Sequence, residues 1–229
     1  MREVEARIAR AARRAGRDPA SVELVGIAKR KSAAAVAEAV RAGLRRVGES
    51  YVQEAARKLP ELEALLAESG TAPPRRHFVG RLQRNKARDA LRLFDVIESV
   101  DRLDLALELE RRAAATSRTL DALLQVDLAG EPSKGGVAPG ELARLLDACG
   151  KLERLRVRGL MAIPPASDDP ERSRPWFAKL RELRDALGAG GAELRELSMG
   201  MSADFEIAIE EGATWVRVGT ALFGPREAA

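Results

Sequence analysis

The 229-residue sequence contains one cysteine, Cys149, and one histidine, His77. A lone cysteine forbids an intrachain disulfide, and so few thiolates and imidazoles leave the usual zinc sites without ligands. Aromatic residues make up 3% of the chain, too few to furnish stacking platforms for single-stranded nucleic acid. No apolar run approaches the roughly 18 to 20 residues that a spanning helix needs, and the opening Met1-Arg2-Glu3-Val4-Glu5-Ala6-Arg7 lacks the apolar stretch of a secretory signal. Neither sign of charge dominates: 39 Lys and Arg against 35 Asp and Glu leave a net charge of +4, with the two signs intermixed. These absences argue against a disulfide scaffold, a structural zinc protein, a specific nucleic-acid module and a membrane protein. The expectation is a cytoplasmic globular chain, and 45% apolar residues in this length suffice for a sizeable core.

What is present is an alternation of short β-rich runs with helical stretches, the pattern of a parallel sheet covered by helices. Strands are expected at 23–29, 45–49, 76–80, 96–99, 120–127, 156–163, 196–200 and 215–219. Helices are expected between them at about 33–42, 51–68, 84–91, 101–115, 140–149, 171–187 and 203–211, with one more at 2–15. Ser32 is placed to cap a helix bearing Val36 and Val40 on one face, with Gly43 at its stop; Ser202 and Gly212 frame a second in the same way. Eight such units in about 200 residues fit the small end of the barrel range better than an open doubly wound sheet. The expected fold is therefore α/β: a single (β/α)8 TIM barrel over residues 1–229 with an extra N-terminal helix.

In a barrel, functional groups collect at the C-terminal ends of the strands. Lys29 ends the run Leu24-Val25-Gly26-Ile27-Ala28, and a lysine at an apolar mouth is partly desolvated, which favours the neutral amine that an imine requires. Only seven of the 39 basic residues are lysines, so a lysine at a strand end stands out. Ser198-Met199-Gly200-Met201-Ser202-Ala203-Asp204 ends the seventh strand in a small-residue loop that leads into a helix. Backbone N–H groups and short hydroxyls there can hold a phosphate without lysine or metal. Arg217-Val218-Gly219-Thr220 ends the eighth strand, Gly219 permitting close backbone approach and Thr220 offering a hydroxyl. Loops after strands seven and eight are where barrels often carry a phosphate site. The competing reading of these residues is a solvated lysine, an N-cap serine and an ordinary turn glycine. A lysine on one side and a phosphate cup on the other fit pyridoxal 5′-phosphate (PLP). Arg217 is the candidate partner of its ring nitrogen; a permanently protonated arginine keeps that nitrogen unprotonated and weakens the electron sink.

These residues carry a family resemblance. The sequence resembles the pyridoxal-phosphate homeostasis proteins, which are similar to the N-terminal barrel of alanine racemase. The likeness is nearly full length and rests on Val25-Gly26-Ile27-Ala28-Lys29-Arg30-Lys31, Gly48-Glu49-Ser50-Tyr51-Val52-Gln53-Glu54 and His77-Phe78-Val79-Gly80-Arg81-Leu82-Gln83-Arg84-Asn85-Lys86. It continues in Arg158-Gly159-Leu160-Met161-Ala162-Ile163-Pro164, Leu197-Ser198-Met199-Gly200-Met201-Ser202 and Val216-Arg217-Val218-Gly219-Thr220-Ala221-Leu222-Phe223-Gly224. The resemblance implies a cytoplasmic, usually monomeric barrel that carries PLP on Lys29, serves vitamin B6 and amino/keto-acid balance, and has no established catalysis. Apo forms of PLP enzymes are the implied recipients. Matched residue by residue, Ser198, Gly200, Met201, Ser202, Gly219 and Thr220 fall on the phosphate loops, Arg217 on the ring-nitrogen partner and Met161 on the ring lining. Arg30 and Ser32 stand where threonine and proline are commoner, and Ser50 where asparagine is usual. An asparagine at that position would reach toward the cofactor ring; the shorter serine leaves room for a water and implies an altered affinity.

Other residues read more plainly. His77 in an apolar run reads as a satisfied core group before a cofactor neighbour; Gln83, Asn85 and Lys86 either face the mouth or begin a helix; and Met199 and Met201 read first as packing. Lys134, in Pro132-Ser133-Lys134-Gly135-Gly136, is expected to be solvated. The alternative function is a PLP-dependent amino-acid racemase, which needs a second acid–base group opposite the lysine, usually a tyrosine. Tyr51 is the one tyrosine, and little chain follows the eighth unit from which a partner domain could come. A third reading, an aldolase-like barrel using Lys29 on another phosphorylated metabolite, is disfavoured by the resemblance.

Overall fold

The computed structural model describes residues 1–190 and 193–224; positions 191–192 and 225–229 of the expected 1–229 domain lie outside the described residues. The strands are β1 (Glu23–Ile27), β2 (Arg46–Glu49), β3 (Arg75–Phe78), β4 (Val96–Val100), β5 (Leu120–Gln125), β6 (Leu155–Met161), β7 (Glu196–Ser198) and β8 (Trp215–Val218). The helices are α1 (Arg2–Arg14), α2 (Ala33–Arg41), α3 (Val52–Glu68), α4 (Ala87–Leu93), α5 (Leu103–Ala115), α6 (Leu142–Gly150), α7 (Arg174–Ala189), α8 (Phe205–Glu210) and α9 (Thr220–Phe223). The strands pair in sequence order, all parallel, and β1 closes on β8. This is the TIM barrel expected from the alternation, preceded by its extra helix α1.

Parallel strands covered on both faces carry near-continuous apolar runs rather than alternating ones. In β5, Leu120, Ala122, Leu123 and Leu124 are all fully buried. Outside the barrel the strands meet the helices: Leu105, Ala106, Leu109 and Ala113 give α5 one buried face at helical spacing. Each fully buried leucine contributes about 1.5–3 kcal/mol relative to an exposed one. Inside the barrel, Val25, Val96, Leu123, Met161 and Trp215 form a smaller second cluster. Ser32 caps α2 as expected, accepting from Ala35 N–H at 3.2 Å, and Gly43 follows it with φ +108°. Helix α1 buries Val4, Ile8, Ala11 and Ala12 and is tied to α8 through Arg7–Glu206 and Arg14–Glu210. The Arg7 guanidinium also lies 4.5 Å from the centre of the Phe205 ring.

Several strands stop one or two residues before the expected C-terminal ends: β1 at Ile27, β3 at Phe78, β6 at Met161, β7 at Ser198 and β8 at Val218. Residues there leave the ladder to build the mouth, and Arg30 (φ +58°) and Gly200 (φ +88°) are already in the left-handed region. The helix expected from Ser202 starts later, at Phe205 with Asp204 as its N-cap residue, and the four-residue α9 was not expected. Among the described residues no helix is long and apolar enough to cross a membrane.

Candidate functional site

Val25 and Ile27 belong to the inner cluster, and Lys29 follows in the turn two residues beyond the end of β1, at the mouth. Lys29 is half-buried. The ladder persists to its neighbour, Ala28 N–H donating to Gly48 O at 2.9 Å. On the β8 side, a Cβ placed on Gly219 would lie 3.5 Å from Ile27. That is ordinary contact, so protein packing alone does not demand a glycine there. The Lys31 ammonium donates to Phe223 O at 3.0 Å and ties the turn after β1 to α9. Barrel closure thus brings the ends of β1 and β8 side by side.

The loop after β7 is shaped by two contacts. A Cβ on Gly200 would sit 2.5 Å from the Ala208 Cβ and 2.9 Å from the Phe205 Cα, so only glycine allows this loop to press against α8. Asp204 then accepts from Met201 N–H at 2.7 Å and from the Ser173 hydroxyl at 2.9 Å. Ser202 is consequently not the helix cap: its hydroxyl oxygen accepts from Gly219 N–H and Ala221 N–H, each at 3.3 Å, and so joins the β7 and β8 loops. Thr220 opens α9 and is exposed, and Met201 is also exposed, whereas Met199 is fully buried as packing.

Below this loop lies a buried polar chain. Arg217 donates to the Ser198 hydroxyl at 2.7 Å and to Ala162 O at 2.8 Å; the Ser198 hydroxyl donates to Glu98. The other Glu98 oxygen meets His77 Nδ1 at 2.6 Å, and the His77 ring packs edge-on against Trp215. His77 is therefore a satisfied core group. Burial alone would raise the Glu98 carboxyl, but the His77 hydrogen bond and the charges of His77 and Arg217 outweigh it and hold the carboxyl below the usual range. Burial pushes Arg217 down, while the charges of Glu98 and Asp204 pull it back up. Met161, fully enclosed, pairs in register with Ser198 and so ends beside the same chain.

Closure therefore brings Met161, Ser198, Gly200, Ser202, Arg217 and Gly219 together, with Lys29 in the turn after the adjoining strand. Ser50 lies farther round the mouth, after β2, where it lines a groove of about 830 Å³ with Tyr51, Arg84, Lys86 and Arg102. Gln83 and Lys86 also line that groove, and Arg84–Lys86 form one 3-10 turn ahead of α4. Lys134 is not simply solvated: its ammonium meets Glu131 and Pro164 O, each at 2.9 Å.

Sequence reasoning missed Glu98, Glu49, Glu54 and Lys58. Lys58 is buried and donates to Ala28 O at 2.7 Å and to Glu49 and Glu54 at 2.8 Å. Burial pushes the Glu49 carboxyl up, against the pull of Lys58. A glutamate inside the apolar run Val96-Ile97-Glu98-Ser99-Val100 is a detectable signal, because a charge in a buried strand demands partners. The spacing of Glu54 and Lys58, one helical turn apart, is a weaker one.

The family model described as the alanine racemase N-terminal domain matches residues 1–227. A pyridoxal phosphate homeostasis protein of Pseudomonas aeruginosa is 49% identical over 224 residues, covering 98% of this chain and 93% of the relative. One of Aquifex aeolicus is 44% identical, covering 96% and 94%. The structure of PipY from Synechococcus elongatus with PLP bound superimposes with a TM-score of 0.82 at 40% identity, covering 95% of this chain and all of that one. An eight-stranded barrel of this order, matched over nearly its whole length at these identities, belongs to the pyridoxal phosphate homeostasis protein family, built on the alanine racemase N-terminal domain.

Proposed function

We propose that this chain carries PLP covalently on Lys29 and serves the intracellular balance of PLP and of amino and keto acids, without catalysis of its own. The observation that carries this reading is the Ser202 hydroxyl, which binds the Gly219 and Ala221 N–H groups and so joins the β7 and β8 loops at the strand end that neighbours Lys29. Gly200 holds the loop against α8, Thr220 is exposed beside it and the buried Arg217 stands beneath, so hydroxyls and a cation meet near Lys29, a set that fits a phosphorylated ring with a reactive aldehyde. When bound, that group supplies an electrophilic carbon and an electron-withdrawing ring.

This chain's own residues do the rest. Lys29 supplies the amine; Gly200, Ser202 and Thr220 border the place for the phosphate, whereas Ser198 is committed to the buried chain below, the Met201 N–H to Asp204 and the Gly219 N–H to Ser202. Arg217 orients the ring nitrogen and, as a cation, keeps a proton off it. Met161 lies enclosed beneath the place for the ring, and Ser50 lines the neighbouring groove, where its short side chain leaves room for a water. A chain of this kind works as a cytoplasmic monomer, and apo forms of PLP enzymes are the recipients. The sole tyrosine, Tyr51, is 52% exposed and lines the groove beside Ser50, a poor position for the second proton-transfer group of a racemase.

The test is an absorption spectrum of the protein after addition of PLP, beside Lys29→Ala. A band near ~420 nm that borohydride removes and the variant lacks is expected of a lysine-linked cofactor. No band in either protein overturns the reading, and a racemase assay on the loaded protein separates carrier from enzyme.

A further inference from the structure

The peptide groups on both sides of Lys29 are held by one buried ionic cluster that the site itself does not use. Lys58 Nζ has three donors and all three are engaged: Ala28 O at 2.7 Å, Glu49 Oε1 at 2.8 Å and Glu54 Oε1 at 2.8 Å. The same Glu54 oxygen accepts the N–H of Arg30. Residue 28 is thus fixed through its carbonyl and residue 30 through its amide, and the anchors of both lie on α3. Arg30 is one of two non-glycine residues with positive φ among the described residues, a conformation that persists only where its surroundings over-determine it.

A buried ion pair is a weak way to hold a helix to a strand, since apolar side chains of similar volume do it as well or better. Here the cost is visible: Glu49 Oε2 is buried with no hydrogen-bond partner among the described residues. What an apolar side chain cannot do is bind a carbonyl at one residue and, through a carboxylate, an amide two residues on. We propose that Lys58, acting with Glu54, is the positioning residue for Lys29: it fixes the backbone on either side so that the Lys29 side chain leaves the turn toward the lumen, in line with Val25 and Ile27. The inference rests on the proposed role of Lys29. In the step it assists, the neutral Lys29 amine adds to the aldehyde carbon, and both amine hydrogens leave with the aldehyde oxygen as water while the carbon–nitrogen double bond forms.

Positioning predicts a split between two ligands. PLP needs both the phosphate loops and Lys29; pyridoxine 5′-phosphate, with an alcohol in place of the aldehyde, needs the loops alone. The full-length protein, Lys58→Met and the double variant Lys58→Met/Glu49→Met, which leaves no Glu49 charge stranded if the single variant folds poorly, are each titrated with both. Melting curves establish which variants fold. The expected result is an absorption band that forms roughly tenfold to a hundredfold more slowly in whichever variant folds, with pyridoxine 5′-phosphate affinity within about threefold of the parent protein and partial rescue by Lys58→Arg. Parallel losses for the two ligands, no loss for either, or failure of both variants to fold would assign the cluster to stability and overturn the inference. Absence of the band in the parent protein overturns the reading of Lys29 instead, so the two failures are distinguishable.

Discussion

Replacement of Glu98 tests the buried polar chain most directly. Glu98 is fully enclosed and is shared between His77 Nδ1 and the Ser198 hydroxyl, through which it reaches an Arg217 that is 4% exposed. Glu98→Leu removes the carboxylate and strands a buried guanidinium, which costs about 3–5 kcal/mol. Against a total stability of about 5–15 kcal/mol, that is a large fraction. Glu98→Gln keeps the shape and one acceptor, and the expected loss is the difference between a charged and a neutral hydrogen bond, about 1–2 kcal/mol. The gap between parent and Glu98→Gln is also pH-dependent. The folded-state pKa of Glu98 is depressed, so the stabilisation is fully present above the unfolded carboxyl value of about 4.3 and is lost as pH falls from there through the lower folded value. Urea denaturation at pH 7 and at steps below pH 4.5 measures both effects. A Glu98→Leu loss under about 1 kcal/mol, or a Glu98→Gln gap that stays constant in acid, would refute the reasoning.

Two further outcomes follow from local geometry. Gly200→Ala puts a Cβ within 2.5 Å of Ala208 at a φ of +88°; overpacking and backbone strain together predict a loss of about 2–4 kcal/mol, read as a lower melting temperature, and an unchanged melt would contradict the crowding. Cys149 is 1% exposed and its thiol is pushed up to about 11 by burial. Native protein at pH 8 should therefore react with a maleimide at least ~100-fold more slowly than urea-unfolded chain, and rates within about tenfold would show the thiol to be accessible.

The barrel was legible because its signals are local: Ser32 and Gly43 frame α2, and the buried runs of β1 and β5 stand between helical stretches. Where the reading went astray, the cause was a partner far away in the chain. Ser202 has the chemistry of an N-cap, yet its oxygen is taken by N–H groups 17 and 19 residues later, and α8 begins instead at the Asp204 carboxylate that holds Met201. Glu98 finds Ser198 across 100 residues, and Lys58 reaches back 30 residues to Ala28. No periodicity in one segment encodes such pairings. Most strands end short of their expected C-termini, since the residues just past the ladder are recruited into the mouth, whereas β4 runs one residue further than expected.

The closure of β1 on β8 also fixes when the site comes into being. Lys29 is made before the β7 and β8 loops, and β1 pairs with a strand about 190 residues downstream. A chain still emerging from the ribosome can form the first strand–helix units, but it has neither a completed cup nor a strand to hold the lysine's turn from the far side. On the proposed reading of Lys29, a chain that lacks the last two units would expose this lysine without the β7 and β8 loops that stand beside it.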